Sequence, residues 1–319
     1  MLKIAPEFNG KRMKRAFVLI ILYASIISAQ NTYEFLRLDT SPRAAAVAGS
    51  YVATGDDPNV MFYNPAGINL LQGMPASFSY LKHLMDINSA SFSISKDFTD
   101  IGRFSAGFKY INYGEFTKAD ASGNNLGTFG AGDLALVLGY GNQLDQNFYY
   151  GANVKLIYSG IDDVSSLGFA VDLGLQYVIP EYNWSFGFSA LNLGSQIKSY
   201  YDVKEDLPVD VRVGFTKSLE KVPLKFFFSF NKINESQDNL FKRFTNVTFG
   251  GEFRFGQSFR LRFGYDNEKR KELKIGTSSG LTGFSLGFGF IVKGYNVDYA
   301  FSSLGSIGSL HRFGISTNL

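Results

Sequence analysis

The side chains best suited to acid–base or nucleophilic chemistry are scarce in this sequence. His83 and His311 are the only two histidines, and the absence of cysteine excludes disulfides and thiolate metal sites. A serine hydrolase would need one histidine beside a nucleophile such as Ser306 or Ser309, together with an orienting acid. Two histidines on distant segments also make a poor metal site. We predict hydrogen-bonded rim histidines, no catalytic residue and no enzymatic activity, with a rim hydrolase as the alternative.

Two pairs of adjacent acids are the other candidate ligands. Asp56-Asp57 and Asp162-Asp163 stand in turn-like settings. Adjacent side chains on a turn diverge, so calcium ligation is possible but turn capping is favoured. The sequence therefore predicts no metal site.

Gly287 and Gly289 resemble part of a dinucleotide-binding fingerprint. They alternate with apolar residues on one strand-like segment, and no helix follows to receive a phosphate. The sequence therefore predicts no cofactor.

The elements that must position any site are strands with two different faces. From Pro75 to the C-terminus, short segments alternate apolar and polar residues, and the charges keep to one side. Phe253 and Phe255 share one face, whereas Glu252 and Arg254 occupy the other. Successive strand residues point to opposite sides of a sheet. A wall whose inner face is charged must turn its apolar face toward lipid.

Residues 75–319 divide into fourteen candidate strands, most of them near the roughly 9–11 residues that a tilted strand needs to cross a bilayer. The joins after even-numbered strands are tight, whereas most joins after odd-numbered strands are longer: 112–131, 196–206, 231–242 and 266–280. Short turns at one end and long loops at the other are typical of outer-membrane barrels. We predict an all-β fold, a transmembrane antiparallel β-barrel of about fourteen strands with a small N-terminal plug segment.

Residues 1–29 have the pattern of a cleaved secretory signal peptide, with translation starting at Met1 or Met13. Basic residues between 11 and 15 precede the apolar run 16–27, and Ser28-Ala29 closes it. A retained membrane anchor is the less favoured alternative because the run is short for a span. The leader holds five of the 31 basic and one of the 28 acidic residues, so 26 basic and 27 acidic residues remain. This balance argues against a nucleic-acid partner.

Residues 30–74 lack the alternation and suggest short helical turns. Asn64-Pro65-Ala66-Gly67 begins one of them, since proline is favoured at the first helical position after a capping residue. A fourteen-strand ring has a lumen too wide for side chains alone to fill. We predict that residues 30–74 form a plug inside the ring; the alternative is a periplasmic arm outside the wall.

Five charged residues form the candidate lumen site: Arg212, Arg254, Arg260, Arg262 and Glu252. All five fall on the polar phase of their strands. The arginines could attract an anion, or they could pair with Glu252, Asp210 and Asp172. Because the lumen charges are of both signs, pairing between the arginines and these carboxylates is favoured over an anion-attracting wall.

The chain also carries an ordered series of short motifs. The first are Tyr33-Glu34-Phe35-Leu36, Thr40-Ser41-Pro42-Arg43-Ala44-Ala45 and Phe62-Tyr63-Asn64-Pro65-Ala66-Gly67. The later ones are Tyr113-Gly114-Glu115-Phe116, Gly127-Thr128-Phe129, Leu191-Asn192-Leu193-Gly194-Ser195-Gln196-Ile197-Lys198 and Leu207-Pro208-Val209-Asp210. This set resembles the PorV/PorQ family over nearly all of the chain after the leader, and it is closer to PorQ. The Asn-Pro-Ala-Gly element is also similar to the plug motif of FadL-type channels, a broader superfamily with fourteen strands.

The resemblance implies a barrel of the type IX secretion system in the outer membrane of a Gram-negative bacterium. PorV-like proteins escort cargo, and PorQ-like proteins are associated with the surface complex in which a separate sortase-like subunit attaches it. The implied partners are outer-membrane lipid, PorV, sortase-like and PorZ-like surface proteins, and cargo C-terminal domains. The predicted function is a docking or scaffold subunit. The alternative is a FadL-like transporter of hydrophobic small molecules.

Overall fold

The computed structural model describes residues 31–235, 240–273 and 280–319, so the predicted signal peptide lies outside the described residues. Fourteen antiparallel strands follow one another around a ring, and the first closes it by pairing with the last. The predicted fourteen-strand barrel is therefore confirmed. The strands are β1 (Pro75–Lys82), β2 (Asn88–Phe98), β3 (Gly102–Ala119), β4 (Asn125–Asp145), β5 (Phe148–Ile161), β6 (Val164–Ile179), β7 (Trp184–Lys198), β8 (Asp210–Ser218), β9 (Leu224–Phe230), β10 (Val247–Phe255), β11 (Phe259–Asp266), β12 (Phe284–Val292), β13 (Tyr295–Ser303) and β14 (Ser309–Asn318).

The wall has a polar inner face and an apolar outer face. In β6 the inward-facing Asp172 is fully buried, whereas its neighbour Leu173 is 48% exposed. Outward-facing aromatic rings pack against one another between strands, as in the tilted pair Phe288 and Tyr299 with centroids 5.0 Å apart. An exposed apolar exterior around a buried ionic interior is the arrangement of a transmembrane barrel.

The two ends of the ring differ in their connections, although only three of the seven joins after odd-numbered strands are long rather than most of them. At one end the joins are short, such as 256–258 between β10 and β11 and 293–294 between β12 and β13. Gly256 and Gly294 have positive φ angles of 58° and 83° in these turns, a conformation that glycine adopts without strain. At the other end lie the longer joins 199–209, 231–246 and 267–283. We refer to these as the tight-turn end and the long-loop end.

Residues 31–74, which we call the lumenal segment, form four short helices. They are 3-10 helices at Glu34–Arg37, Pro58–Phe62 and Pro65–Leu70, and the α-helix α1 (Pro42–Ala46). Proline opens three of them, after capping residues whose side chains accept a backbone hydrogen bond: Ser41, Asp57 and Asn64. Helix Pro65–Leu70 packs against β3–β6, whereas α1 packs against β11–β14 on the other side of the ring. The segment therefore lies inside the barrel.

The predicted loop 112–131 is wrong, because most of it is a two-stranded ribbon. Strands β3 and β4 stay paired up to Ala119 and Asn125, which leaves a tip of only five residues, 120–124. A bulge after Asn112 changes the alternation, and glycine and polar residues beyond it conceal the period of two. On this ribbon Phe116 stacks on Phe129, with ring centroids 5.4 Å apart.

Three strands begin at least three residues later than the predicted joins imply, and one of them is β12, which starts at Phe284 rather than residue 281. Strand β10 starts at Val247 rather than residue 243, because Leu240–Thr245 forms a 3-10 helix. Strand β8 starts at Asp210 rather than residue 207, since Pro208 has no amide hydrogen for the ladder. The join after β11 contains the helix α2 (Asn267–Glu272). Within the described ranges, no helix is long and apolar enough to cross a membrane.

Candidate functional site

The predicted motif Asn64-Pro65-Ala66-Gly67 is the point where the lumenal segment is fixed to β6. The Asn64 side-chain oxygen accepts a hydrogen bond from the Ala66 amide at 3.1 Å and so caps the helix that Pro65 begins. Its side-chain nitrogen donates to the carbonyl oxygens of Val52 at 2.6 Å and Leu175 at 3.0 Å. One fully buried amide therefore joins two parts of the segment to the wall, with donor and acceptor atoms both satisfied.

Inward-facing glycines on the wall make room for this motif. A Cβ atom at Gly174 would lie 2.0 Å from the Asn64 side-chain oxygen. A Cβ atom at Gly151 would lie 2.5 Å from the carbonyl carbon and oxygen of Pro65. Any side chain at either position would push the segment away from the wall.

The opposite side of the lumenal segment is held by ion pairs. The Arg43 guanidinium contacts Glu252 at 2.8 Å and Asp56 at 3.0 Å. Glu252, which is 1% exposed, also contacts Arg262 at 2.8 Å and Arg254 at 3.1 Å. An isolated buried charge would be strongly destabilising. Here the three guanidinium partners compensate the charge of the buried carboxylate and supply its hydrogen bonds.

Asp56 extends this network to a further strand. Its carboxylate contacts Lys225 at 3.2 Å and Arg254 at 3.3 Å, in addition to Arg43. Partial desolvation would raise the pKa of the Asp56 carboxyl, whose side chain is 41% exposed, but the neighbouring Arg43 and Lys225 hold that pKa well below its ordinary value. Asp56 is therefore ionised at neutral pH and links the segment to β9 and β10.

The predicted lumen charges are partly brought together. Arg254, Arg262 and Glu252 belong to the network around Arg43, and Arg262 also pairs with Asp298. Arg212 forms a separate pair with Asp210 at 2.6 Å. Asp172 does not pair with any of these arginines; its partner is Lys155 at 2.8 Å. Among the described residues, Arg260 donates only to backbone carbonyl oxygens.

The histidines lie near the long-loop end, and both take part in hydrogen bonds there. His311 Nε2 lies 3.0 Å from the Ser309 hydroxyl, but its Nδ1 faces the Tyr299 hydroxyl at 2.7 Å instead of an orienting acid. His311 sits among the outward-facing rings of Tyr299 and Phe301. His83 accepts a hydrogen bond from the Leu84 amide at 2.8 Å.

The acid pairs act as caps and ion-pair partners. Asp57 accepts a hydrogen bond from the Asn59 amide at 2.8 Å, and Asp162 pairs with Lys118 on the ribbon. No group of three or more potential metal ligands is found in the described part of the chain.

Gly287 belongs to the glycine pattern noted in the sequence, and it faces α1. A Cβ atom added at Gly287 would lie 2.5 Å from the Cβ atom of Ala46. Gly287 of this pattern thus allows close packing of the segment on β12, whereas Gly289 makes room for Asp298, whose side-chain oxygen would lie 2.2 Å from a Cβ atom there.

Sequence reasoning missed the residues that attach the segment to the wall. Arg43 lies 209 residues from Glu252, so no local pattern links them. A usable signal was the single arginine in the small-residue run that forms α1, because an arginine buried there requires acidic partners. Glycines on the inward phase of the strands were a second signal.

Comparison with solved structures shows which fold this is. The toluene transporter TbuX of Ralstonia pickettii is 13% identical with a TM-score of 0.59, and the match covers 88% of this chain and 98% of that one. The toluene transporter TodX of P. putida is 10% identical with a TM-score of 0.57 and the same coverages. A Pseudomonas aeruginosa FadL homologue has the same identity, TM-score and coverages as TodX. The chain therefore has the fold of FadL-like barrels.

No protein-family model matches the sequence, and no curated protein is significantly similar to it. At the identities of the solved structures, the likeness concerns the fold alone.

Proposed function

We propose that this chain is a non-enzymatic outer-membrane barrel that serves as a docking or scaffold subunit of a type IX secretion system, with a PorQ-like role. The motifs that resemble the PorV/PorQ family support this assignment, and the apolar outer face supports a place in outer-membrane lipid. Its partners would be PorV, sortase-like and PorZ-like surface proteins, and cargo C-terminal domains.

The observation that carries the proposal is the filled interior. The lumenal segment is fixed on one side by Asn64 and on the other by Arg43, so its removal would break hydrogen bonds and ion pairs on both sides. A docking barrel requires no passage through its lumen. A transporter of apolar molecules requires an apolar path, whereas the cavity beside Arg43 is bordered by four arginines and four carboxylates.

The long-loop end offers a surface to a protein partner. In the join 199–209, Tyr201 and Val203 are 76% and 77% exposed, and Leu126 on the ribbon is 59% exposed. Exposed apolar residues outside the membrane-facing belt are typical of interaction sites, and tyrosine is favoured at the centre of such sites.

Affinity isolation of the tagged chain from detergent-solubilised outer membranes tests this function. We expect the sortase-like and PorZ-like subunits to be recovered with the wild type and lost with the double variant Tyr201→Ser/Val203→Ser. The matched control is Val222→Ser, at an exposed position of the tight-turn end. Recovery of the barrel without these subunits from a strain that expresses all of them would refute the docking function.

The second candidate is a transporter of hydrophobic small molecules. It is favoured by the comparisons, because the similar solved structures include transporters and channels of toluene and other monoaromatic hydrocarbons. Uptake of labelled toluene and of a long-chain fatty acid, measured in cells with and without the gene, separates the two candidates. Loss of uptake on deletion would support the transporter, and unchanged uptake would reject it.

A further inference from the structure

A cavity of about 260 Å³ lies inside the tight-turn end, between the lumenal segment and β10–β14. Its charged lining includes Arg43, Asp56, Glu252, Arg254, Arg260 and Arg262. A water molecule occupies about 30 Å³ of liquid, so this volume holds a small polyatomic ion with several waters.

Arg260 differs from the other arginines of this cavity. Its guanidinium donates to the carbonyl oxygens of Phe259 at 2.9 Å, Gly256 at 3.2 Å and Gln257 at 3.2 Å. It forms no ion pair with a carboxylate in the described ranges, whereas Arg43, Arg254 and Arg262 each have at least two carboxylate partners. One positive charge therefore faces the cavity without a counter-charge.

The strand register places a second positive charge beside it. Arg254 on β10 lies directly opposite Arg260 on β11. Like charges directly opposite one another in an antiparallel pair are destabilising. The four arginines of the lining, together with Lys225, which forms an ion pair with Asp56, make five positive charges. The lining holds four carboxylates: Asp56, Asp57, Glu252 and Asp298. A single bound anion would balance this site.

We propose that the cavity binds a compact soluble oxyanion of the phosphate class, held by the guanidinium groups of Arg260 and Arg254. The planar fork of an arginine matches two oxygen atoms of a phosphate, and such charge-assisted bonds are stronger than neutral ones. The same lining includes Asn296 and Ser316, whose side chains are hydrogen-bonded to each other at 3.3 Å and add polar groups to the cavity. The site is independent of which protein docks at the long-loop end.

The test uses the full mature chain in non-ionic detergent micelles, titrated with inorganic phosphate against chloride at matched ionic strength. We expect phosphate to raise the midpoint of thermal unfolding of the wild type. Arg260→Gln should weaken apparent phosphate binding about tenfold or more, because a bond to a charged group is lost. Arg260→Lys, which keeps the charge, should retain most of the response.

Arg103→Gln is the control, because Arg103, which is buried, also forms no ion pair in the described residues and does not line this cavity. Its phosphate response should equal that of the wild type even if its midpoint is lower. An equal response in Arg260→Gln, or no response in the wild type, overturns the proposal. A response to phosphatidic acid in the micelle but not to inorganic phosphate would place the anion on the lipid-facing surface and also overturn it.

Discussion

Toward β4–β6 the lumenal segment meets the wall through backbone and amide groups, whereas toward β9–β13 it meets the wall through ion pairs. On the amide side, Asn64 fits against Gly174 and donates to the Leu175 carbonyl. On the ionic side, Arg43 and Glu252 are the central pair. The amide side depends on shape, since a single Cβ would fill the space, while the ionic side depends on charge balance in addition to the close packing of α1 on Gly287. The two contacts should therefore fail under different substitutions.

The largest expected effect is on the ionic side. Glu252→Gln keeps the volume but removes the charge shared by three arginines, and loss of one partner of a buried ion pair costs about 3–5 kcal/mol. We expect a decrease of this size in the free energy of unfolding, measured by denaturant titration in lipid or detergent. Glu220→Gln, at an exposed position, is the control and should change the free energy by about 0.5 kcal/mol or less. Equal effects of the two variants would contradict the network.

Gly174→Ala should produce the next largest effect, on the amide side. The new Cβ would meet the Asn64 oxygen at 2.0 Å, and overpacking of this kind costs about 1–3 kcal/mol of unfolding free energy. Gly130→Ala is the matched control, since the nearest atom to its Cβ is the Gly114 carbonyl oxygen at 3.8 Å. If both alanines are tolerated equally, the close contact is not present.

A double-variant cycle sharpens the assignment of that contact. Asn64→Ala removes the oxygen that the new Cβ would meet, so Gly174→Ala should cost less in the Asn64→Ala background than in the wild type. We expect a coupling free energy of about 1 kcal/mol or more, because the two positions touch. Additive effects on the unfolding free energy would show that Gly174 acts independently of Asn64.

The smallest effect is expected at an ion pair outside the buried network. Asp162→Asn breaks the pair with Lys118, whose side chain is 45% exposed. Exposed pairs contribute about 0–1 kcal/mol, and salt screens them. A loss of unfolding free energy as large as that of Glu252→Gln would mean that burial does not distinguish the two sites.

The wall was predictable from the sequence, and the attachment of the segment was not. Residues such as Glu252 and Arg254 lie on one phase of a strand, so a period of two was enough to assign the strand and its inner face. The ribbon beyond Asn112 was mistaken for a loop because a bulge interrupts that period. The Asn64 motif was recognisable as a helix start, but its contact with Gly174 depends on a register between distant elements.

The central placement is that of the lumenal segment inside the ring, and an engineered disulfide tests it most directly. The side-chain oxygens of Ser50 and Thr248 are 2.7 Å apart, and the chain has no natural cysteine. In oxidised membranes, Ser50→Cys/Thr248→Cys should form an intramolecular disulfide, seen as faster migration in non-reducing denaturing electrophoresis. Ser50→Cys/Ser91→Cys, which pairs the segment with a strand across the ring, should keep free thiols. Free thiols in the first pair, or a disulfide only in the second, would contradict the placement.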